Sequence, residues 1–137
     1  MSFDRTSVRR SVTLAAPVQE VWAVIGDFHG LHKWHPDVTD SVREHVGSEE
    51  FRALALASGA RMLEHLEDHG GHSYRYAIIR GPLPVEHFHA TLEANDAGGN
   101  TTVTWSAVFE PTADDAEARV AALYDRGLEA LKARFGG

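Results

Sequence analysis

Cysteine is absent from the 137 residues, which removes disulfide bridges, thiol nucleophiles and thiolate metal ligands together. No apolar run is long enough to span a bilayer, and the opening MSFDRTSVRR lacks the apolar block of a signal peptide. No membrane span is expected, and a cytoplasmic location is. Concentrated positive charge is missing too. The 13 Lys and Arg are scattered among 20 Asp and Glu, and the formal charge of −7 opposes attraction to phosphate backbones, so nucleic acid is not an expected partner. The glycines form neither a dinucleotide-binding nor a P-loop pattern, and no serine sits in a nucleophile elbow. No cofactor is expected.

What is present is the usage of an ordinary globular protein. With 43% hydrophobic and 24% charged residues, the chain can bury one respectable core, and its length argues for one domain over residues 1–137. Alternation of Val8, Val12 and Leu14 predicts a first strand over Ser7 to Leu14. Pro17 then opens a helix whose Val18, Val21, Trp22, Ile25 and Phe28 recur at three- to four-residue spacing. Gly30 and Pro36 confine Leu31 to Trp34 to one short helical turn. Six β-like runs follow, Val38 to Val46, Phe51 to Ala57, Arg61 to Asp68, Ser73 to Ile79, His87 to Glu93 and Thr101 to Phe109, with glycine-rich separators that favour hairpins. Asp114 and Asp115 then precede a stripe of Val120, Leu123, Tyr124, Gly127, Leu128, Leu131 and Phe135, a last helix running to Arg134. The expected class is α+β, a curved antiparallel sheet in the order β-α-α-β6-α.

Several short motifs stand in that order: Pro17-x-x-x-Val21-Trp22, Asp27-Phe28 followed by Trp34-His35-Pro36, Gly81-Pro82-Leu83-Pro84, Thr104-Trp105 and Leu128-x-x-Leu131-Lys132. With them the chain resembles the START-like, or SRPBCC, superfamily over nearly its whole length. It looks most like the bacterial branch labelled polyketide cyclase/dehydrase or lipid-transport proteins, which is also similar to plant abscisic-acid receptors. The resemblance implies a helix-grip fold, in which the sheet wraps a long C-terminal helix around an internal cavity. Those receptors close a Ser-Gly-Leu-Pro-Ala gate and a His-Arg-Leu latch over their ligand. Here Ser58-Gly59-Ala60 falls at the gate without Leu-Pro, and Gly81-Pro82-Leu83-Pro84 at the latch without His-Arg-Leu. The resemblance therefore implies ligand binding between two loops, with Trp34 to Asp37 as a third wall, and not hormone recognition.

Successive strand residues point to opposite faces, so parity assigns the inner wall. The inward sets are Arg61, Leu63 and His65; Tyr74, Tyr76 and Ile78; Phe88, Ala90 and Leu92; and Val103, Trp105, Ala107 and Phe109. Glu64 and Asp68 then face out as solvated charge. The expected ligand-binding residues are Trp34, His35, Leu63, Tyr74, Tyr76, Leu83, Phe88, Trp105, Tyr124 and Gly127, an apolar and aromatic wall with few polar groups. Gly127 either opens a void beside Tyr124 or lets the helix pack closely on Trp105 or Phe109. His65 is the candidate acid/base and Arg61 a partner for a carboxylate or enolate oxygen, against the simpler reading that His65 only hydrogen-bonds Tyr76 or a carbonyl. His35 either reaches the cavity mouth or braces its own turn. A metal site is not expected. Gly30 and Pro36 interrupt the His29, His32, His35 series, and parity turns His87 and His89 toward solvent.

Three functions follow in order of preference. The first is binding of a hydrophobic or aromatic small molecule, polyketide-, lipid- or acyl-like, by a monomer or homodimer. The second is a cofactor-independent cyclase or dehydratase using His65. The third is a stress-related interaction module, which would show an exposed apolar patch.

Overall fold

A computed structural model describes residues 5–137. Strand β1 (Thr6–Leu14) leads into helix α1 (Val18–Ile25) and a 3₁₀ segment (Phe28–Lys33). Six strands follow: β2 (Val38–Val46), β3 (Glu49–Leu56), β4 (Arg61–His69), β5 (Ser73–Arg80), β6 (Val85–Ala97) and β7 (Asn100–Pro111). Helix α2 (Ala116–Phe135) closes the chain. All neighbouring strands are antiparallel, in the spatial order β1-β7-β6-β5-β4-β3-β2. The first strand thus lies beside the last, and β2 forms the opposite edge. The architecture is α+β, as expected. Among the described residues, no helix is long and apolar enough to cross a membrane.

The second helix differs from expectation. Helix α1 stops at Ile25, and Phe28 belongs to a 3₁₀ segment kinked at Gly30. Gly26 still keeps helical dihedrals beneath the Trp22 indole, where a Cβ would come within 2.5 Å of that ring, and the chain leaves the helix at the extended Asp27. Asp27 then restarts the winding by accepting a hydrogen bond from the His29 backbone at 3.0 Å. Strand β6 is also longer than its predicted span. A bulge between Glu86 and His89, with His87 at a positive φ of 49°, carries pairing through a region of poor alternation.

Bulges in β4 and β6 bend the sheet so that its inner face takes α2. The α2 stripe of Val120, Tyr124, Gly127, Leu128 and Leu131 is buried. It meets Leu92, Val103, Trp105 and Phe109, each almost fully buried. Burying a large apolar side chain contributes roughly 1.5–3 kcal/mol, so this layer drives assembly. In β5, β6 and β7 the large buried residues are ones that parity assigns inward, Tyr74, Tyr76, Phe88, Leu92, Val103, Trp105 and Phe109, whereas Ile78 of the same set is only half-buried and Ala77 and Thr104 of the opposite parity are buried as well.

Strand β4 is the correction. Its buried residues are Met62 and Glu64, whereas Arg61 is exposed and Leu63 and His65 lie partly exposed on the other face. The reason is across the ladder: Glu64 pairs in register with Arg52, and both side chains turn inward and bond each other. Both faces of β4 carry one or two apolar residues, so alternation alone leaves the strand balanced. The charge partner on β3 decides it.

Candidate functional site

The interior holds a buried ion pair within an aromatic box. Arg52 is 0% exposed and Glu64 3%. Arg52 donates from Nε to Glu64 Oε1 at 2.7 Å, and from Nη1 to the Phe28 carbonyl at 2.7 Å and the Tyr74 hydroxyl at 3.3 Å. Its guanidinium lies 4.1 Å from the Phe28 ring centre and 4.8 Å from that of Tyr76, which adds cation–π attraction. Nη2 has no partner. Burial alone disfavours the Arg52 cation, but Glu64 and the two phenols outweigh it and hold its pKa above the ordinary value. Burial pushes the Glu64 carboxyl upward, against the pull of Arg52. A buried pair of this kind adds little net stability over apolar residues of the same size. What it does secure is a carboxylate inside an otherwise apolar wall.

Above this pair the aromatic groups are locked. Trp105 Nε1 donates to the Tyr76 hydroxyl at 2.9 Å, and its ring stacks on Tyr124 at 4.3 Å with 11° between planes. Burial raises the pKa of Tyr74, Tyr76 and Tyr124, so all three stay neutral phenols. The Tyr124 hydroxyl lies near Tyr76 yet makes no hydrogen bond of ordinary geometry. Trp34 is buried 5.6 Å from Trp105 as a plug.

His35 ties this plug to the helix. Its Nε2 donates to the Leu123 carbonyl at 2.8 Å, and its Nδ1 accepts from the Asp37 backbone at 3.1 Å. Those two partners assign a neutral Nε2–H tautomer. Burial lowers its pKa, outweighing the carbonyl and Asp37. His35 is thus a brace, one of the two roles expected of it. Gly127 makes room for that brace. A Cβ on Gly127 would stand 2.6 Å from His35 Cδ2 and 2.9 Å from Trp105 Cζ3. The expected void beside Tyr124 is filled by these two side chains, and the close-packing alternative describes the structure.

The open space lies one layer outward. A cavity of about 400 Å³ opens between the β3–β4 turn, the β5–β6 loop and α2. Leu56, Ala57, Met62, Pro82, Leu83, Ala122 and Leu123 supply its apolar walls, and Asp37, Ser58, Arg119 and Arg126 its polar lining. Backbone bonds hold this mouth. Ala57 N–H donates to the Asp37 carbonyl at 2.8 Å, Leu56 N–H to Ala60 at 2.9 Å, and Thr112 N–H to Pro84 at 2.8 Å. Gly59 turns the β3–β4 loop at a φ of 91°, a conformation suited to glycine. Gly81 lets the opposite loop approach Met62, where a Cβ would come within 2.8 Å.

Beneath the mouth is an enclosed slit of about 10 Å³, lined by Glu64, His35, Tyr76 and Trp105 among others. That is the space of a single water at most. Leu56, Met62 and Leu123 line both spaces and form the partition between them.

Of the residues expected to bind ligand, Leu83 lines the mouth, and His35, Tyr76 and Trp105 line the slit. Trp34, Tyr74, Phe88 and Tyr124 are core residues, Phe88 stacking on Phe109 at 5.6 Å. Leu63 and Arg61 lie on the outer face of β4. His65 lies there too, stacked on Phe51 at 4.7 Å and hydrogen-bonded to Glu49 at 2.5 Å. The inner titratable residue of this strand is Glu64, not His65. The signal for it was on β3, where Arg52, Leu54 and Leu56 share one face, so a strand with two inward leucines carries its arginine inward too.

His29 Nε2 bonds Glu50 at 3.0 Å in a part-buried contact, and the Nδ1 atoms of His29 and His32 are buried with no hydrogen-bond partner among the described residues, whereas His87 and His89 make surface contacts. His87 bonds Glu110 at 2.8 Å, and His89 bonds Glu67 at 2.7 Å. Donor atoms of Glu86, His87 and Glu110 lie within 4.8 Å of one another on this outer surface, an arrangement common without any ion. The exposed large apolar residues Val42, Val46, Ile79 and Val108 lie on three different strands.

Residues 5–136 match the family described as polyketide cyclase/dehydrase and lipid transport. Among solved structures, the Bacillus cereus protein XoxI is 27% identical, with 95% of each chain covered and a TM-score of 0.89. An uncharacterised Bacillus thuringiensis protein is 28% identical over 95% of this chain and 98% of its own, with a TM-score of 0.88. The Zhui aromatase/cyclase from Streptomyces sp. R1128 shares the fold at 18% identity, over 96% and 93% of the two chains, with a TM-score of 0.76. No curated protein matches the sequence.

Proposed function

Because the chain belongs to the polyketide cyclase/dehydrase and lipid transport family, we propose that it binds a hydrophobic small molecule at the mouth between α2 and the two loops. The observation that carries this reading is the 400 Å³ cavity itself, walled by leucine, methionine, alanine and proline and set over a nearly closed slit. Its size suits a compact ring system or a short acyl chain. Rotamer changes of Met62 and Leu123 deepen the mouth into the slit without moving a strand, because flexible side chains form the partition. Native mass spectrometry of protein from its own host, followed by denaturing extraction, tests the reading. An Ala122→Trp variant fills the mouth and abolishes any retained ligand; a ligand that survives this change in a folded protein lies elsewhere.

A second reading is favoured by Glu64. It is an inward carboxyl with a raised pKa on the slit wall, which suits proton transfer at an enolisable carbonyl compound. On this reading the chain is a cofactor-independent cyclase or dehydratase with Glu64, fixed by Arg52, as its acid/base, and His65 takes no part. The name of the Zhui aromatase/cyclase supports the reaction class. Deuterium exchange at the central carbon of benzoylacetone, followed by proton NMR, measures it. Glu64→Gln should reduce catalysed exchange by about 10²-fold or more, and equal exchange in both proteins would reject the assignment.

A further inference from the structure

The polar lining of the mouth has a sign. In a chain with a formal charge of −7, it holds two arginines and one carboxylate. Arg126 donates from Nε to Asp37 Oδ2 at 2.5 Å, so those two charges largely cancel. Arg119, an exposed residue of α2, makes no ion pair among the described residues and stands at the rim of the cavity beside apolar groups. Seven residues separate the two arginines, two turns of α2, and Ala122 and Leu123 of the cavity wall lie between them. The helix therefore presents a cation, an apolar strip and a half-neutralised cation along one side of the opening.

We infer that the molecule bound at this mouth is an amphiphilic anion, with an apolar body against Leu56, Met62, Leu83 and Leu123 and an acidic group of the carboxylate, sulfonate or phosphate class at Arg119. The inference rests on the binding reading above and gives its ligand a polar end. A guanidinium offers a planar pair of donors that matches such an oxyanion in a bidentate contact. Asp37 sets the polarity of the ligand: it keeps Arg126 occupied and places the acidic end toward Arg119.

Two fluorescent probes with nearly the same aromatic body separate the elements of this claim: anilinonaphthalene sulfonate, which is anionic, and phenylnaphthylamine, which is neutral. Both are titrated into the wild-type protein and the Arg119→Gln and Ala122→Trp variants. Arg119→Gln should weaken the sulfonate roughly tenfold, the equivalent of one charge-assisted contact, and move the neutral probe less than twofold. Ala122→Trp should abolish both. Equal effects of Arg119→Gln on the two probes, or no effect on either, overturn the anion assignment while the apolar mouth stands. If the wild-type protein binds neither probe, or Ala122→Trp displaces neither, the binding site itself is misplaced and the inference falls with it. Asp37→Asn supplies an independent check: releasing Arg126 should tighten the sulfonate and leave the neutral probe unchanged, and loosened sulfonate binding would contradict the role given to Asp37.

Discussion

The two halves of the inner sheet face solve the same packing problem by different chemistry. Strands β5 to β7 present Tyr76, Phe88, Leu92, Val103, Trp105 and Phe109, an uncharged wall fitted by shape and by the one Trp105–Tyr76 hydrogen bond. Strands β3 and β4 present Leu54 and Met62 beside Arg52 and Glu64, a wall in which one charge must meet another. An apolar wall tolerates loss of one contact by degrees, whereas an ion pair without water fails when either member is removed. The β3–β4 half borders the mouth through Leu56 and Met62 and supplies Glu64 to the slit, which Tyr76 and Trp105 of the other half close from the opposite side.

The largest effect should come from splitting the charged wall. Arg52→Met leaves Glu64 buried without its partner and should cost about 3–5 kcal/mol in urea unfolding. The double change Arg52→Met with Glu64→Leu should recover most of that loss. If the single and double variants prove equally unstable, Arg52 acts through its aromatic packing and not through the pair.

Acid should act on the brace between the Trp34–Asp37 turn and α2. His35 is held neutral, with a pKa below 6.5, so the unfolded chain binds more protons than the native one as pH falls through that value. Stability contributed by the neutral imidazole is therefore present above about pH 6.5 and lost below it, by up to about 1.4 kcal/mol per pH unit until the folded-state pKa is reached. The raised carboxyl pKa of Glu64 gives a slope of opposite sign from about pH 4.5 upward. That contribution is common to wild type and a His35→Gln variant and cancels in their difference. The wild-type protein should lose more stability than the variant between pH 7 and pH 5; parallel curves would show that His35 charges without resistance.

Gly127→Ala sharpens the packing side of the comparison. Ala gains roughly 1 kcal/mol of helix propensity, but its methyl meets His35 and Trp105 at less than 3 Å, and overpacking costs about 1–3 kcal/mol. A net loss of about 1 kcal/mol in thermal or chemical unfolding is expected. A stabilised variant would mean that the layer has slack. The smallest effect belongs to the outer face. His65→Gln removes a contact to a largely exposed Glu49 and should change stability by less than about 0.5 kcal/mol, with probe binding unchanged.

The same contrast explains how far the sequence could be read. Alternation in β6 and β7 identifies the inner wall because the large apolar residues keep to one face, and in β5 the aromatic pair Tyr74 and Tyr76 does the same although Ala77 and Ile79 occupy the other face; the motifs from Pro17 to Lys132 carry the fold. It misread β4, since Met62, Glu64 and Leu66 compete with Leu63 and His65 as equally mixed faces. Only the register of Arg52 against Glu64 resolves that balance, and register is a property of two strands. The mouth is legible through its two loops, where Ser58, Pro82 and Leu83 lie, and through Asp37 at the end of the Trp34–Asp37 turn. Arg119, Ala122 and Arg126 are spaced as an ordinary exposed helix side, and it is the approach of two distant loops that makes them a lining.

Amide NMR titration with phenylnaphthylamine tests the central claim most directly. The account predicts saturable shifts centred on Leu56, Met62, Leu83, Ala122 and Leu123, extending to Glu64 and Tyr76 if the partition opens. Shifts centred instead on the outer-face row of Phe51, His65 and Ala77, or none at all, would contradict it.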